Sequence, residues 1–181
     1  MSYVSKLADF KAILGEVKRM FPESHPVVGG GALRDAYHDR PIKDVDVFLR
    51  AKDHPLGLTH PDTRIFVPDF VCNYGLRSDM HGVWNVTRLI NGYEVQLILA
   101  DFENCIDLAD TFDIGLSRAT FDGSGDWVYH TDKFLQDSHD KAFRIYRADD
   151  DGQVARSERR IERLLKKYPN FHYDTTDYIG E

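Results

Sequence analysis

Residues 27–35 read Val27-Val28-Gly29-Gly30-Gly31-Ala32-Leu33-Arg34-Asp35, and shortly afterwards comes Lys43-Asp44-Val45-Asp46-Val47. A short apolar segment runs into three glycines, and residues 32–37 then have the composition of one or two helical turns, broken by Arg40-Pro41. Residues 44–49 alternate with period two, which predicts a strand with both aspartates on one face and the valines on the other. Two carboxylates spaced in this way repel each other unless a cation lies between them, and hard oxygen ligands suit Mg2+ or Mn2+. The same spacing also describes a solvated strand face. Glycines ahead of a helical turn let backbone N–H groups approach a phosphate closely, and a plain flexible turn uses them equally well. No Gly-Lys-Ser/Thr follows, and the spacing is not that of a dinucleotide fingerprint. Together the two clusters are sharper than either alone, because their order sets a polyphosphate beside a metal pair.

Outward from this stretch, residues 4–21 place Leu7, Phe10, Ile13, Leu14, Val17 and Phe21 on one helical face, and Pro22 ends the helix. Residues 51–82 are rich in His, Pro and Asp, and predict a loop-rich crossover with a strand at 64–67. Asn91-Gly92 between the β-rich runs 84–90 and 93–99 predicts a hairpin. In its second strand Glu94, Gln96 and Ile98 share one face, so Glu94 is a third candidate carboxylate, or an exposed strand glutamate. A short helix is expected over 101–110, a mixed apolar segment over 112–121, a turn at 122–126, a largely helical 132–148 and a second helix over 153–168.

The composition is that of an ordinary globular chain of 181 residues, with 42% hydrophobic and 29% charged residues. No apolar run is long enough to span a membrane, and the charged N-terminus lacks a secretory apolar block. With only Cys72 and Cys105, a disulfide framework and a zinc ribbon are excluded, and a cytoplasmic location is expected. A net charge of −7 disfavours a nucleic-acid-coating protein and leaves room for a local basic patch. Such a patch is offered by Arg156, Arg159, Arg160, Arg163, Lys166 and Lys167, diluted by Glu158 and Glu162. It is either a surface for RNA or for a triphosphate, or a solvated helix face. The eight histidines show no zinc spacing, and no Gly-x-Ser-x-Gly occurs. Asp113 reads as a helix cap or an arginine partner in preference to a metal ligand.

The Gly-Gly turn, the Arg34-Asp35 pair and the Asp44-Val45-Asp46 strand together resemble the head-domain signature of the polymerase-β-like nucleotidyltransferases. The branch they look most like contains tRNA CCA-adding enzymes and bacterial poly(A) polymerases. Gly92-Tyr93-Glu94-Val95 is similar to that branch's Glu-Val strand. Asp107-Leu108-Ala109 with Phe112-Asp113-Ile114 resembles a degraded form of its Arg-Arg-Asp segment. Residues 140–148 resemble its Glu-Asp-x-x-Arg helix with one extra residue. The resemblance implies an α+β nucleotidyltransferase fold, a small mixed sheet packed on helices with a C-terminal helical appendage. It implies that Asp44, Asp46 and Glu94 are catalytic and hold Mg2+ or Mn2+. It further implies that Gly29 and Gly30 hold the phosphates, that Arg144 and Asp140 contact the nucleotide base, and that Arg34, Lys43 and Arg147 also belong to the nucleotide-binding set.

The expected activity is transfer of NMP from an NTP such as ATP to a hydroxyl, with release of pyrophosphate. An RNA 3′ end such as that of tRNA is the favoured acceptor, reached through the basic C-terminal helix; neither DNA nor membrane is expected. The expected organisation is an N-terminal helix (1–22), a catalytic core (23–131) and a C-terminal helical segment (132–181). The chain departs from the pattern where Thr111-Phe112 replace the paired arginines, and it is shorter than such enzymes. A stand-alone minimal transferase is therefore expected, of phage type or of a toxin type that modifies tRNA or protein. A catalytically degenerate nucleotide-binding or inhibitory module is the alternative. Asp-x-Asp strands also serve Mn2+-dependent glycosyltransferases, against which the upstream glycine turn and the small size argue.

Overall fold

The computed structural model describes residues 3–69 and 78–176; Cys72 lies outside them. Helix α1 (Tyr3–Met20) buries Leu7, Phe10, Ile13, Leu14 and Val17, the face its periodicity predicted. Strand β1 (Val27–Gly29) leads through Gly30 into α2 (Gly31–Tyr37), and β2 spans Asp44–Arg50. Strands β3 (Phe66–Pro68), β4 (Met80–Val86) and β5 (Glu94–Ala100) follow, then α3 (Cys105–Asp110), β6 (Ala119–Phe121) and β7 (Tyr129–His130). The remainder is α4 (Asp132–Asp140), β8 (Ala142–Phe143), α5 (Asp151–Lys167) and β9 (His172–Tyr173).

Seven strands form one mixed sheet in the order β3-β4-β5-β2-β1-β6-β7, with β2 and β5 parallel at its centre and the other pairs antiparallel. This is the mixed α+β fold with a C-terminal helix that the sequence predicted. One sheet face packs Val28, Val45, Val47, Val95 and Leu97 against α1 and α2. The other packs Val27, Phe48, Ile98 and Phe112 around α3. A third cluster gathers Ile114, Leu116, Phe143, Ile145, Ile161 and Tyr168 beneath α5.

The predicted hairpin closes at Asn91-Gly92. Ile90 and Tyr93 exchange two backbone hydrogen bonds of 3.0 Å, and Asn91 (φ 51°) and Gly92 (φ 85°) both adopt the positive φ of a type I′ turn. Its first strand lies earlier than expected, ending at Val86. The predicted strand at 64–67 forms at Phe66–Pro68. The largely helical 132–148 is corrected: α4 stops at Asp140, because Lys141 takes the left-handed conformation (φ 53°) and Ala142-Phe143 then pair with His172-Tyr173. No described helix is long and apolar enough to cross a membrane.

Candidate nucleotide and metal site

The β2–β5 register places Asp44 opposite Glu94 and Asp46 opposite Gln96. Val45, Val47, Val95 and Leu97 are turned into the core, so strand alternation forces Asp44, Asp46 and Glu94 onto the other face. Further along that face Phe48 and Ile98 are buried. It is therefore acidic only at the N-terminal ends of the two strands, where a cavity of about 770 Å3 opens. Asp44, Asp46 and Glu94 line it together with Gly31 and Ala32 at the start of α2, Arg88 of the hairpin loop, and Arg160, Arg163 and Lys167 of α5. Gln96 donates from Nε2 to Asp69 (3.1 Å) and to Asn85 (2.9 Å), all three on the cavity wall.

As a donor set, three carboxylates on one sheet face fit a hard divalent cation in kind. The Lys43 ammonium stands 3.8 Å from Asp44 and is largely exposed. No three His, Cys, Asp or Glu side chains among the described residues stand as a ready-formed metal cluster.

The three glycines do different work. Gly29 leaves no room for a side chain: a Cβ there would lie 2.9 Å from the Phe112 ring and 3.1 Å from that of Phe48. Gly30 takes φ 78°, which favours glycine, and donates its N–H to Ala119 O (3.1 Å). The residues of the turn that reach the cavity are Gly31 and Ala32.

Arg34 and Asp35 form a buried knot. Asp35 accepts from Arg34 Nε (3.0 Å), Lys167 Nζ (2.6 Å) and the Tyr168 hydroxyl (2.7 Å), and Arg34 also donates to Ser117 (3.4 Å). Burial works against the Arg34 charge, but Asp35 and Tyr168 more than offset it and its pKa rises. The motif that opens α2 thus ties α5 down across the site. Asp113 gives a second tie: it accepts from Arg160 Nη1 (3.0 Å) and from Ser157. Burial raises its pKa, but Arg160 and Ser157 prevail and lower it. It is the arginine partner that the sequence suggested.

Asp140 and Arg144 are not among the lining residues of this cavity. Arg144 donates to Asp137 (2.8 Å), Asp140 (2.9 Å) and Asp174 (2.9 Å). Arg147 bonds Asp149 and the Thr111 carbonyl. It lines a small adjoining cavity of about 40 Å3 that shares Arg160 with the first. Sequence reasoning missed Asp69 and Arg88. Asp69 falls in the aperiodic His/Pro/Asp-rich stretch, and Arg88 in a β-rich run whose composition does not show that the strand ends at Val86.

With its open mixed sheet and a carboxylate-bearing parallel pair beside a glycine turn, the chain has the fold of solved CCA-adding enzymes and tRNA nucleotidyltransferases. Among solved structures it is similar to the Bacillus stearothermophilus CCA-adding enzyme in complex with CTP (TM-score 0.59, 15% identity, 92% of this chain and 41% of that one). It is also similar to the Thermotoga maritima CCA-adding enzyme complexed with tRNA (TM-score 0.59, 14% identity, 94% and 40%). A third is a tRNA nucleotidyltransferase complexed with a primer tRNA and an incoming ATP analogue (TM-score 0.54, 15% identity, 90% and 46%). The chain thus spans less than half the length of these proteins. No family model and no curated protein matches it.

Proposed function

We propose that this chain is a divalent-metal-dependent nucleotidyltransferase, moving NMP from an NTP to a hydroxyl acceptor and releasing pyrophosphate. An RNA 3′ end, such as that of tRNA, is the favoured acceptor. The observation that carries this is the β2–β5 register, which sets Asp44 across from Glu94 with Asp46 on the same face, in a cavity that the glycine turn also lines. The fold it shares with enzymes solved with CTP, tRNA and an ATP analogue supports it.

Asp44, Asp46 and Glu94 are the residues that would hold Mg2+ or Mn2+. When bound, such ions neutralise phosphate charge and lower the pKa of an attacking hydroxyl. The chain supplies the rest. Two hydrogen-bonded parallel strands hold the carboxylates in fixed register. The first turn of α2, at Gly31 and Ala32, presents backbone N–H groups to a phosphate. Arg147, which lines the small adjoining cavity, is assigned to the nucleotide in this reading, while Arg144 and Asp140 hold the segment that carries it.

The test is incubation with each α-labelled NTP, Mg2+ and total RNA or protein, read on a gel. Asp44→Ala and Asp46→Ala are each expected to lower transfer by about two orders of magnitude or more, with an unchanged melting temperature. Wild-type turnover in both variants would sink the assignment. A second reading is a nucleotide-binding module without transfer, motivated by Thr111-Phe112 standing where the resemblance expects paired arginines. Under it Mg2+-NTP binds and no pyrophosphate appears with any acceptor.

A further inference from the structure

Helix α5 carries its cations on one broad sector, only part of which lines the cavities. Arg156, Arg160, Arg163 and Lys167 follow one another at intervals of about four, three and four residues, which makes a single helical stripe. Each lines one of the two adjoining cavities. The exposed Arg159 and Lys166 alternate with Glu158 and Glu162. The positive stripe is therefore turned towards the carboxylate-bearing strands, whereas Arg159 and Lys166, beside it on the helix, line neither cavity.

Within the stripe, Arg160 is held by Asp113 and Lys167 by Asp35. The other basic side chains on the larger cavity are also engaged: Arg34 by Asp35, Lys43 by Asp44 and Arg88 by Glu16. Arg163 is exposed on the cavity wall and, among the described residues, makes no ion pair. A guanidinium not already committed to a carboxylate keeps its whole fork of donors for phosphate oxygens. The strand carboxylates by themselves repel a polyanion, and a cation on the same cavity offsets that repulsion.

Resting on the nucleotidyltransferase assignment above, we propose that Arg163 anchors the polyphosphate of the incoming nucleoside triphosphate. The inward stripe of α5 then serves the nucleotide, and not a nucleic-acid backbone. The test is displacement of trinitrophenyl-ATP by ATP, ADP, AMP and inorganic tripolyphosphate in Mg2+, with retention of a single-stranded RNA measured in parallel. The proteins are wild type, Arg163→Ala, Arg163→Lys and, as a control on a neighbouring arginine that lines neither cavity, Arg159→Ala.

Arg163→Ala is expected to weaken ATP and tripolyphosphate about tenfold or more, as for the loss of one charge-assisted phosphate contact. AMP should change little, Arg163→Lys should recover part of the loss, and Arg159→Ala should match wild type. Since Arg163 is exposed and makes no ion pair among the described residues, the ligand-free melting temperature should not move. Unchanged ATP and tripolyphosphate binding in Arg163→Ala overturns the proposal. So does an equal loss of AMP, or a loss of RNA with ATP intact. A wild type that binds ATP through Arg163 but transfers nothing to any acceptor defeats the transferase assignment and leaves the anchor standing. A wild type that transfers NMP, with Arg163→Ala binding normally, does the reverse. A wild type that binds no polyphosphate defeats both.

Discussion

His38 sits among Tyr37, Phe134, Tyr168 and Phe171, with Nε2 3.2 Å from the Ser138 hydroxyl. Burial, then Arg34 and Arg40, push its pKa down to about 4, and Asp35 opposes them weakly. The native imidazole therefore stays neutral where the unfolded one, near 6.5, takes a proton. The stability this confers is whole above pH 6.5 and is lost as the pH falls towards 4. Burial lowers His54 and His130 in the same direction. Urea midpoints are expected to fall across that window, and His38→Gln to flatten the slope. An unchanged slope in the variant would refute the assignment. The titrating residues were visible in the sequence only as eight scattered histidines, because burial, which sets their pKa, is a tertiary property.

At the scale of elements, the Gly-Gly turn, the Asp-x-Asp strand and the hairpin were legible because each rests on local rules: positive φ, period two, an Asn-Gly turn. The end of α4 was not. Its termination depends on Ala142-Phe143 finding a partner strand at His172-Tyr173, distant in sequence. The seating of α5 is likewise non-local. Its Tyr168 hydroxyl donates to Asp35, a residue of α2, at 2.7 Å, in full burial. Tyr168→Phe removes a hydrogen bond to a buried carboxylate and is expected to cost about 1.5–3 kcal/mol. If the knot also positions α5 over the site, as its geometry indicates, the same variant should weaken NTP binding beyond the loss in stability. Equilibrium unfolding and nucleotide titration on the same preparation check both.

Across the whole molecule, the C-terminal part is joined to the rest by ionic knots as well as by its apolar cluster. Arg144 gathers Asp137, Asp140 and Asp174 around one guanidinium. Asp137 is fully buried; burial raises its pKa, Tyr146 and Arg144 pull it back, and the net direction is upward. Arg144→Met leaves that carboxylate without its counter-charge, so a marked fall in urea midpoint is expected. Adding Asp137→Asn should restore part of the loss, and the pair measures the coupling as a double-mutant cycle. Strictly additive effects would refute the counter-charge role.

By itself the sequence determined the strand alternation that separates the aspartates from the core, the turn that Gly30 requires and the hairpin that delivers Glu94. Each is set by neighbours within a few residues. Only the tertiary structure decided that β2 and β5 lie side by side in the register that opposes Asp44 to Glu94. It also decided which cations of α5 line the cavity beside those carboxylates and which do not. Strand pairing and helix docking are fixed by which apolar surfaces meet, and residues far apart in the chain supply those surfaces.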